Sequence, residues 1–137
     1  MCSKGESTAS ASSGCGWSDV RTRYQEIPAY RTRDGSEIRE LMHPDVHGNA
    51  NQSLAEAQVM PGESTVKHCH RRSEELYHVT HGTGWMTLGE ARFAISPGDT
   101  VLISPGIAHC VEATGTEPLR ILCCCSPAYR HDDTVLL

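Results

Sequence analysis

From residue 53 onward the sequence consists of short apolar runs, separated every few residues by glycine or proline. Residues 53–60 alternate, so that Ala55, Ala57 and Val59 share one face of an extended chain and Pro61-Gly62 ends the strand. Further strands are predicted at 65–70, 74–81, 84–88, 91–95, 100–103, 109–113 and 119–125. This region shows no helical periodicity. Many short strands at regular spacing predict an all-β fold, an antiparallel sandwich or barrel of the jelly-roll kind.

The N-terminal part of the chain differs in composition from the rest. Residues 1–16 are mostly serine, glycine and alanine, which cannot bury enough apolar surface to offset the entropy of ordering, and we predict a flexible tail. Residues 17–137 then form one domain, since a chain of 137 residues is too short for two cores. Within it, Asp34-Gly35 predicts a tight turn before a strand at 36–41, and residues 43–51 are predicted to be a loop.

Charge and cysteine usage exclude several classes of protein. Twelve Lys and Arg against 17 Asp and Glu give a formal net charge of -5, which argues against a nucleic-acid or anionic-membrane partner. No apolar run is long enough to cross a bilayer, and the N-terminus lacks the pattern of a secretory signal. The seven cysteines are odd in number and three are consecutive, at 123–125. We therefore expect free thiols in a reducing cytoplasm.

Two histidines one residue apart are the first candidate for chemistry. On a strand His68 and His70 point to the same face, with their backbones ~6.6 Å apart, close enough for both rings to reach one ion. A hairpin through residues 71–74 would bring Glu75 beside them, and His109 begins another predicted strand. The histidine pair alone is equally consistent with two exposed polar residues on a strand.

The residues around these histidines resemble the two conserved motifs of the cupin superfamily. The spacing of a glycine, two histidines, a carboxylate and a second glycine is similar to the first motif: Gly62, His68, His70, Glu75 and Gly82. Gly98, the segment 104–106 and His109 resemble the second motif, with Ser104 and Ala113 in place of the usual proline and asparagine. The resemblance covers roughly residues 53–126.

The resemblance implies a cupin-like jelly-roll barrel in which His68, His70, Glu75 and His109 bind one divalent metal ion. Nitrogen and oxygen donors of this kind suit Fe, Mn, Co, Ni and Zn, and in an octahedral field the four ligands would leave two positions for other groups. Such proteins include dioxygenases, isomerases, epimerases, lyases and non-catalytic binding proteins. A metal-dependent dioxygenase acting on a small polar or chelating substrate is the first hypothesis. Redox-neutral isomerase, epimerase or lyase chemistry and non-catalytic ligand binding are the alternatives.

Two further expectations concern the substrate and the partner. Tyr77 lies two residues after Glu75, so its ring faces the same side, where it would either bind substrate or pack in the core. Cys123 and Cys125 share one face of their strand and are expected to be buried, with Cys124 on the other face. Because an antiparallel barrel of this size has exposed edge strands, we expect a homodimer.

Overall fold

The computed structural model describes residues 20–137, so the predicted tail at 1–16 lies outside the described residues. Short strands dominate the described part of the chain, with one helix, α1 (Pro44–His47), and two single 3₁₀ turns. The strands are β1 (Tyr30–Arg31), β2 (Glu37–Met42), β3 (Ser53–Val59), β4 (His68–His70), β5 (Glu74–His81), β6 (Gly84–Leu88), β7 (Ala91–Ile95), β8 (Thr100–Ile103), β9 (His109–Ala113), β10 (Leu119–Ser126) and β11 (Thr134–Leu136).

These strands form two antiparallel sheets whose inner faces enclose the core. One sheet has the order β1-β2-β3-β10-β5-β8 and the other has the order β11-β4-β9-β6-β7. The prediction of an all-β antiparallel jelly-roll barrel is confirmed. Buried side chains from both sheets meet between them, among them Val79, Met86, Leu119 and Ile121, each no more than 1 % exposed. The two packed sheets provide the inner faces from which the residues of the site project.

Alternation along the strands decides which side chains enter the barrel. On β3 the residues Ala55, Ala57 and Val59, which are predicted to share a face, lie on the buried face, while Leu54 is 37 % exposed. The same alternation buries Cys123 and Cys125 on β10 and turns Cys124 outward. Small side chains on the inner faces of β3 and β10 leave room inside the barrel.

The N-terminal elements differ in detail from the prediction. The segment predicted as a loop at 43–51 contains the helix α1, whose first turn is capped by the His43 side chain accepting from the Asp45 amide. His43 itself is buried, at 6 % exposure, and its Nε2 contacts the Tyr129 carbonyl at 2.7 Å. Among the described residues, no helix has the length and apolar character needed to span a membrane.

Candidate metal centre

Three histidines from neighbouring strands of one sheet meet inside the barrel. His68 and His70 lie on the inner face of β4, and His109 on β9 is the cross-strand partner of His68. Their exposures are 3, 4 and 0 %, respectively. One ring nitrogen from each histidine lies within 4.8 Å of the other two, which is close enough for one ion to contact all three. The exposed-pair alternative for His68 and His70 is therefore wrong, and the cluster is able to hold a metal ion.

Each of these imidazoles is oriented by a hydrogen bond at its other nitrogen. Nδ1 of His68 contacts the Val66 carbonyl at 2.7 Å, and Nδ1 of His109 contacts the Ile107 carbonyl at 2.9 Å. A carbonyl oxygen can only accept, so both Nδ1 atoms carry the proton and each Nε2 presents its lone pair to the centre. Burial, together with the neighbouring His109, lowers the pKa of His68, which also favours the neutral ring.

His70 receives its orienting contact from the C-terminal strand. Its Nδ1 lies 3.0 Å from Thr134 Oγ1, and that hydroxyl in turn donates to the Arg130 carbonyl at 3.0 Å. Because the threonine proton is used in this way, its oxygen accepts from His70 Nδ1. Thr134 reaches this position because β11 pairs with β4, placing Thr134 opposite His70.

The fourth predicted ligand, Glu75, comes from the opposite sheet. The predicted hairpin between the histidine pair and Glu75 is wrong, because β4 and β5 belong to different sheets. Residues 71–73 cross between the sheets, and the buried Asp133 carboxylate accepts from the Arg72 and Ser73 amides at 3.0 and 3.1 Å. The crossing delivers Glu75 to the inner face of β5, where it is 5 % exposed.

The Glu75 carboxylate faces the Nε2 atoms of the histidines, and both the carboxylate oxygens and these nitrogens are hydrogen-bond acceptors. Its Oε1 lies 3.2 Å from His70 Nε2 and 3.4 Å from His109 Nε2. Neither Glu75 Oε1 nor His109 Nε2 has a hydrogen-bond partner among the described residues. A carboxylate and three ring lone pairs converging in a buried site fit a divalent cation, which would satisfy all of them.

A second carboxylate, from Asp34, also reaches this site. Asp34 lies in the β1–β2 turn, and its Oδ2 is 3.7 Å from His68 Nε2. Its other oxygen, Oδ1, accepts from Thr32 Oγ1 and from both the amide and the hydroxyl of Ser36. The turn is further attached to the barrel by the Val66 amide, which donates to the Asp34 carbonyl at 2.7 Å. The sequence indicates only a turn here, because the approach of Asp34 to His68 depends on tertiary folding.

Tyr77 and Cys125 complete the inner wall beside the histidines. Tyr77 is 7 % exposed, belongs to the core and packs edge-on against His109 with 5.8 Å between ring centroids. Its side chain also lines the cavity, so core packing and substrate contact remain compatible. The Cys125 thiol donates to Glu75 Oε2 at 3.2 Å and thereby orients the carboxylate. Burial raises the pKa of Cys125, which keeps the proton on sulfur.

The cavity in front of the histidines is small. Its volume is about 50 Å³, room for an ion and a ligand of a few atoms, since one water needs roughly 10–15 Å³. The wall is formed by small side chains of β3 and β10, by the metal-site residues and by Tyr129 and Thr134. The turn that carries Asp34 also contributes to the wall, through Thr32, Asp34 and Ser36. The cavity leaves room for a small molecule beside the histidines.

Comparison with known proteins agrees with this architecture. The sequence profile of the cupin domain matches residues 55–125. An uncharacterized protein of Methanocaldococcus jannaschii, MJ1618, is 47% identical over 118 residues, which are 86% of this chain and 94% of that protein.

Solved structures show the same fold at lower sequence identity. A predicted oxalate decarboxylase from Thermotoga maritima superposes with a TM-score of 0.68 at 24% identity, covering 77% of this chain and 96% of that one. The polyketide cyclase RemF from Streptomyces resistomycificus superposes with a TM-score of 0.69 at 22% identity, covering 77% of this chain and 78% of that one. The two-sheet barrel, its inward histidines and the profile match together show that this chain belongs to the cupin family.

Proposed function

We propose that this protein is a divalent-metal-dependent enzyme acting on a small polar or chelating substrate, and that its reaction is of the dioxygenase type. The observation that carries the proposal is the buried convergence of three imidazole nitrogens with Glu75 Oε1, where two of the acceptor atoms lack a partner. A buried acceptor without a donor destabilises the fold, so its retention points to a cation as the missing partner.

In this proposal His68, His70, His109 and Glu75 are the protein ligands of the ion. A divalent ion held there supplies a Lewis acid that polarises a bound oxygen or, as iron, a centre that activates dioxygen. The protein contributes orientation: the carbonyls of Val66 and Ile107 and the Thr134 hydroxyl hold the rings, and the Cys125 thiol holds Glu75. Tyr77 remains a proposed substrate contact at the cavity wall.

The proposal is tested first by metal analysis and then by oxygen chemistry. Protein purified without chelators should contain close to one divalent ion per chain, and His109→Ala should lose it. The matched control is His81→Ala, since His81 is an exposed histidine at the end of β5. Protein loaded anaerobically with Fe(II) should bind nitric oxide and, with a chelating substrate, consume oxygen. If the Fe(II) protein neither binds nitric oxide nor consumes oxygen, the dioxygenase proposal is wrong. If His109→Ala retains the metal, the proposed ligand set is wrong.

Redox-neutral isomerase, epimerase or lyase chemistry is the second candidate, and Asp34 is the observation that favours it. A carboxylate oxygen 3.7 Å from His68 Nε2 is placed to accept a proton from a substrate bound at the ion, a group that oxygen activation does not require. This candidate predicts activity with Zn or Co in the absence of oxygen. It also predicts that deuterium from the solvent is incorporated into the product, and that Asp34→Asn abolishes this incorporation.

We also propose that the protein is a cytoplasmic homodimer formed through the outer face of the six-stranded sheet. Cross-strand partners form an apolar row there: Leu54, Cys124, Leu76 and Leu102. The three leucines are 37, 40 and 53 % exposed. A second copy is the proposed occupant because a two-fold interface brings the same patch of both subunits together, so that each row covers the other. Light scattering should give a dimer that Leu76→Asp dissociates and that Leu136→Asp, on another strand, leaves intact.

A further inference from the structure

The charged side chains that line the cavity all have the same sign. Three carboxylates face it, those of Asp34, Glu40 and Glu75, while no lysine or arginine among residues 20–137 contributes to its wall. Six hydroxyl-bearing side chains also line the cavity: Thr32, Ser36, Ser53, Tyr77, Tyr129 and Thr134. A divalent ion would offset two of the three negative charges, so the wall facing a substrate stays negative.

Two of these carboxylates each have one oxygen engaged by the protein and one oxygen free. The three hydrogen bonds that Asp34 accepts all go to Oδ1, and its Oδ2 is the atom near His68. Glu40 accepts from the Tyr30 hydroxyl at Oε1, at 2.8 Å, while its Oε2 is buried with no partner among the described residues. Each carboxylate is thus held at one oxygen and offers the other as an acceptor.

From this arrangement we infer that the substrate carries no carboxylate or phosphate and presents hydrogen-bond donors, hydroxyl or amine, to Asp34 Oδ2 and Glu40 Oε2. The inference rests on the proposed metal-dependent function, because the same molecule coordinates the ion. An anionic substrate would place like charges in contact without a cationic side chain to offset them, and such contacts strongly disfavour binding. A hydroxyl or ammonium group satisfies the free acceptors instead.

The structure offers variants that change only the free oxygen. Asparagine at position 34 keeps Oδ1 as the acceptor of the three turn hydrogen bonds and replaces Oδ2 with an amide donor. Glutamine at position 40 does the same for the contact with Tyr30. Both variants should therefore fold, which circular dichroism checks. Glu90→Gln is the matched control, since Glu90 is an exposed carboxylate in the turn between β6 and β7.

The test measures binding of three small chelating probes to the Co(II)-loaded protein through its visible absorption: oxalate, glycerol and 2-aminoethanol. The wild type should bind glycerol or 2-aminoethanol more tightly than oxalate, and whichever of the two binds better identifies the donor as hydroxyl or amine. Asp34→Asn and Glu40→Gln should each strengthen oxalate binding at least tenfold, because each variant removes one like charge beside the bound anion. Glu90→Gln should leave all three affinities unchanged.

The outcomes separate this inference from the proposed function. Failure to take up Co(II) at all overturns the metal-dependent function itself. Stoichiometric Co(II) with tighter binding of oxalate than of both donors overturns only the substrate class. Absence of measurable binding by both glycerol and 2-aminoethanol, in protein that holds Co(II), overturns the substrate class as well.

Discussion

The hydrogen bond between Thr134 and His70 offers the sharpest test of how this centre is organised. Thr134→Val removes the hydroxyl that accepts from His70 Nδ1 at 3.0 Å and donates to the Arg130 carbonyl, while keeping the shape of the side chain. Thr134 is buried, at 6 % exposure, and valine offers no polar group in place of the hydroxyl. The His70 ring then has no group that keeps its proton on Nδ1, and a buried donor without a partner costs about 1–3 kcal/mol.

The expected consequence is weaker metal binding. Loss of an orienting partner of a metal-bound histidine lowers affinity about 10–100-fold. That change corresponds to about 1.4–2.8 kcal/mol of binding free energy. Competition titration of Zn²⁺ against a chromophoric chelator at constant pH measures it directly.

A matched control exists on the outside of the barrel. Thr100 Oγ1 lies 2.8 Å from His78 Nδ1, an exposed threonine–histidine contact of the same kind. Thr100→Val should leave zinc affinity unchanged. If Thr134→Val binds zinc as tightly as the wild type, or if both variants weaken equally, the hydrogen bond does not orient His70 and the reasoning is wrong.

Three other predictions concern the whole fold. Gly84→Ala should lower the free energy of unfolding by about 1–3 kcal/mol, because the added Cβ would overlap the Glu112 carbonyl oxygen. Gly115→Ala, whose Cβ would meet only a hydroxyl at 3.0 Å, should cost less in the same urea titration. Zn²⁺ at one hundred times its dissociation constant should raise the free energy of unfolding by about 2.7 kcal/mol and raise the melting temperature in calorimetry, and the absence of any shift would contradict binding to the folded state. The free energy of unfolding should also fall as the pH rises above about 10. Burial and the hydrogen bond to Glu40 raise the pKa of Tyr30 in the folded protein. Above about pH 10 the unfolded chain therefore releases a proton that the folded chain keeps. Tyr30→Phe should reduce that dependence in urea unfolding at pH 9 to 11.

Much of the barrel can be predicted from the sequence because strand alternation is a local property. The period of two in residues 53–59 predicts that Ala55, Ala57 and Val59 share one face, and in the structure all three are buried. Glycine and proline mark the ends of β6 to β9, and the predicted bounds of these strands agree with the observed ones. The histidine pair likewise needs only the pleat of β4 to place both rings on one side.

Which distant residues come into contact follows less directly from such local patterns. The sequence predicts a hairpin between His70 and Glu75, whereas the chain crosses from one sheet to the other. Asp133, distant in sequence, accepts a hydrogen bond from the Arg72 amide in this crossing segment. The segment 43–51, which the sequence predicts to be a loop, contains a helix in the structure. His43 in this segment contacts Tyr129, which is distant in sequence.

His68 and His70 show the difference between local and long-range determinants of the site. The sequence by itself determined that His68 and His70 face the same way, because neighbouring peptide units dictate the pleat. Only the tertiary structure decided that Thr134 orients His70 and that Asp34 stands beside His68, since strand pairing and turn docking bring together residues far apart in the chain. Hydrogen bonds and charge act over a few ångströms in space, and a pattern along the chain does not record those distances.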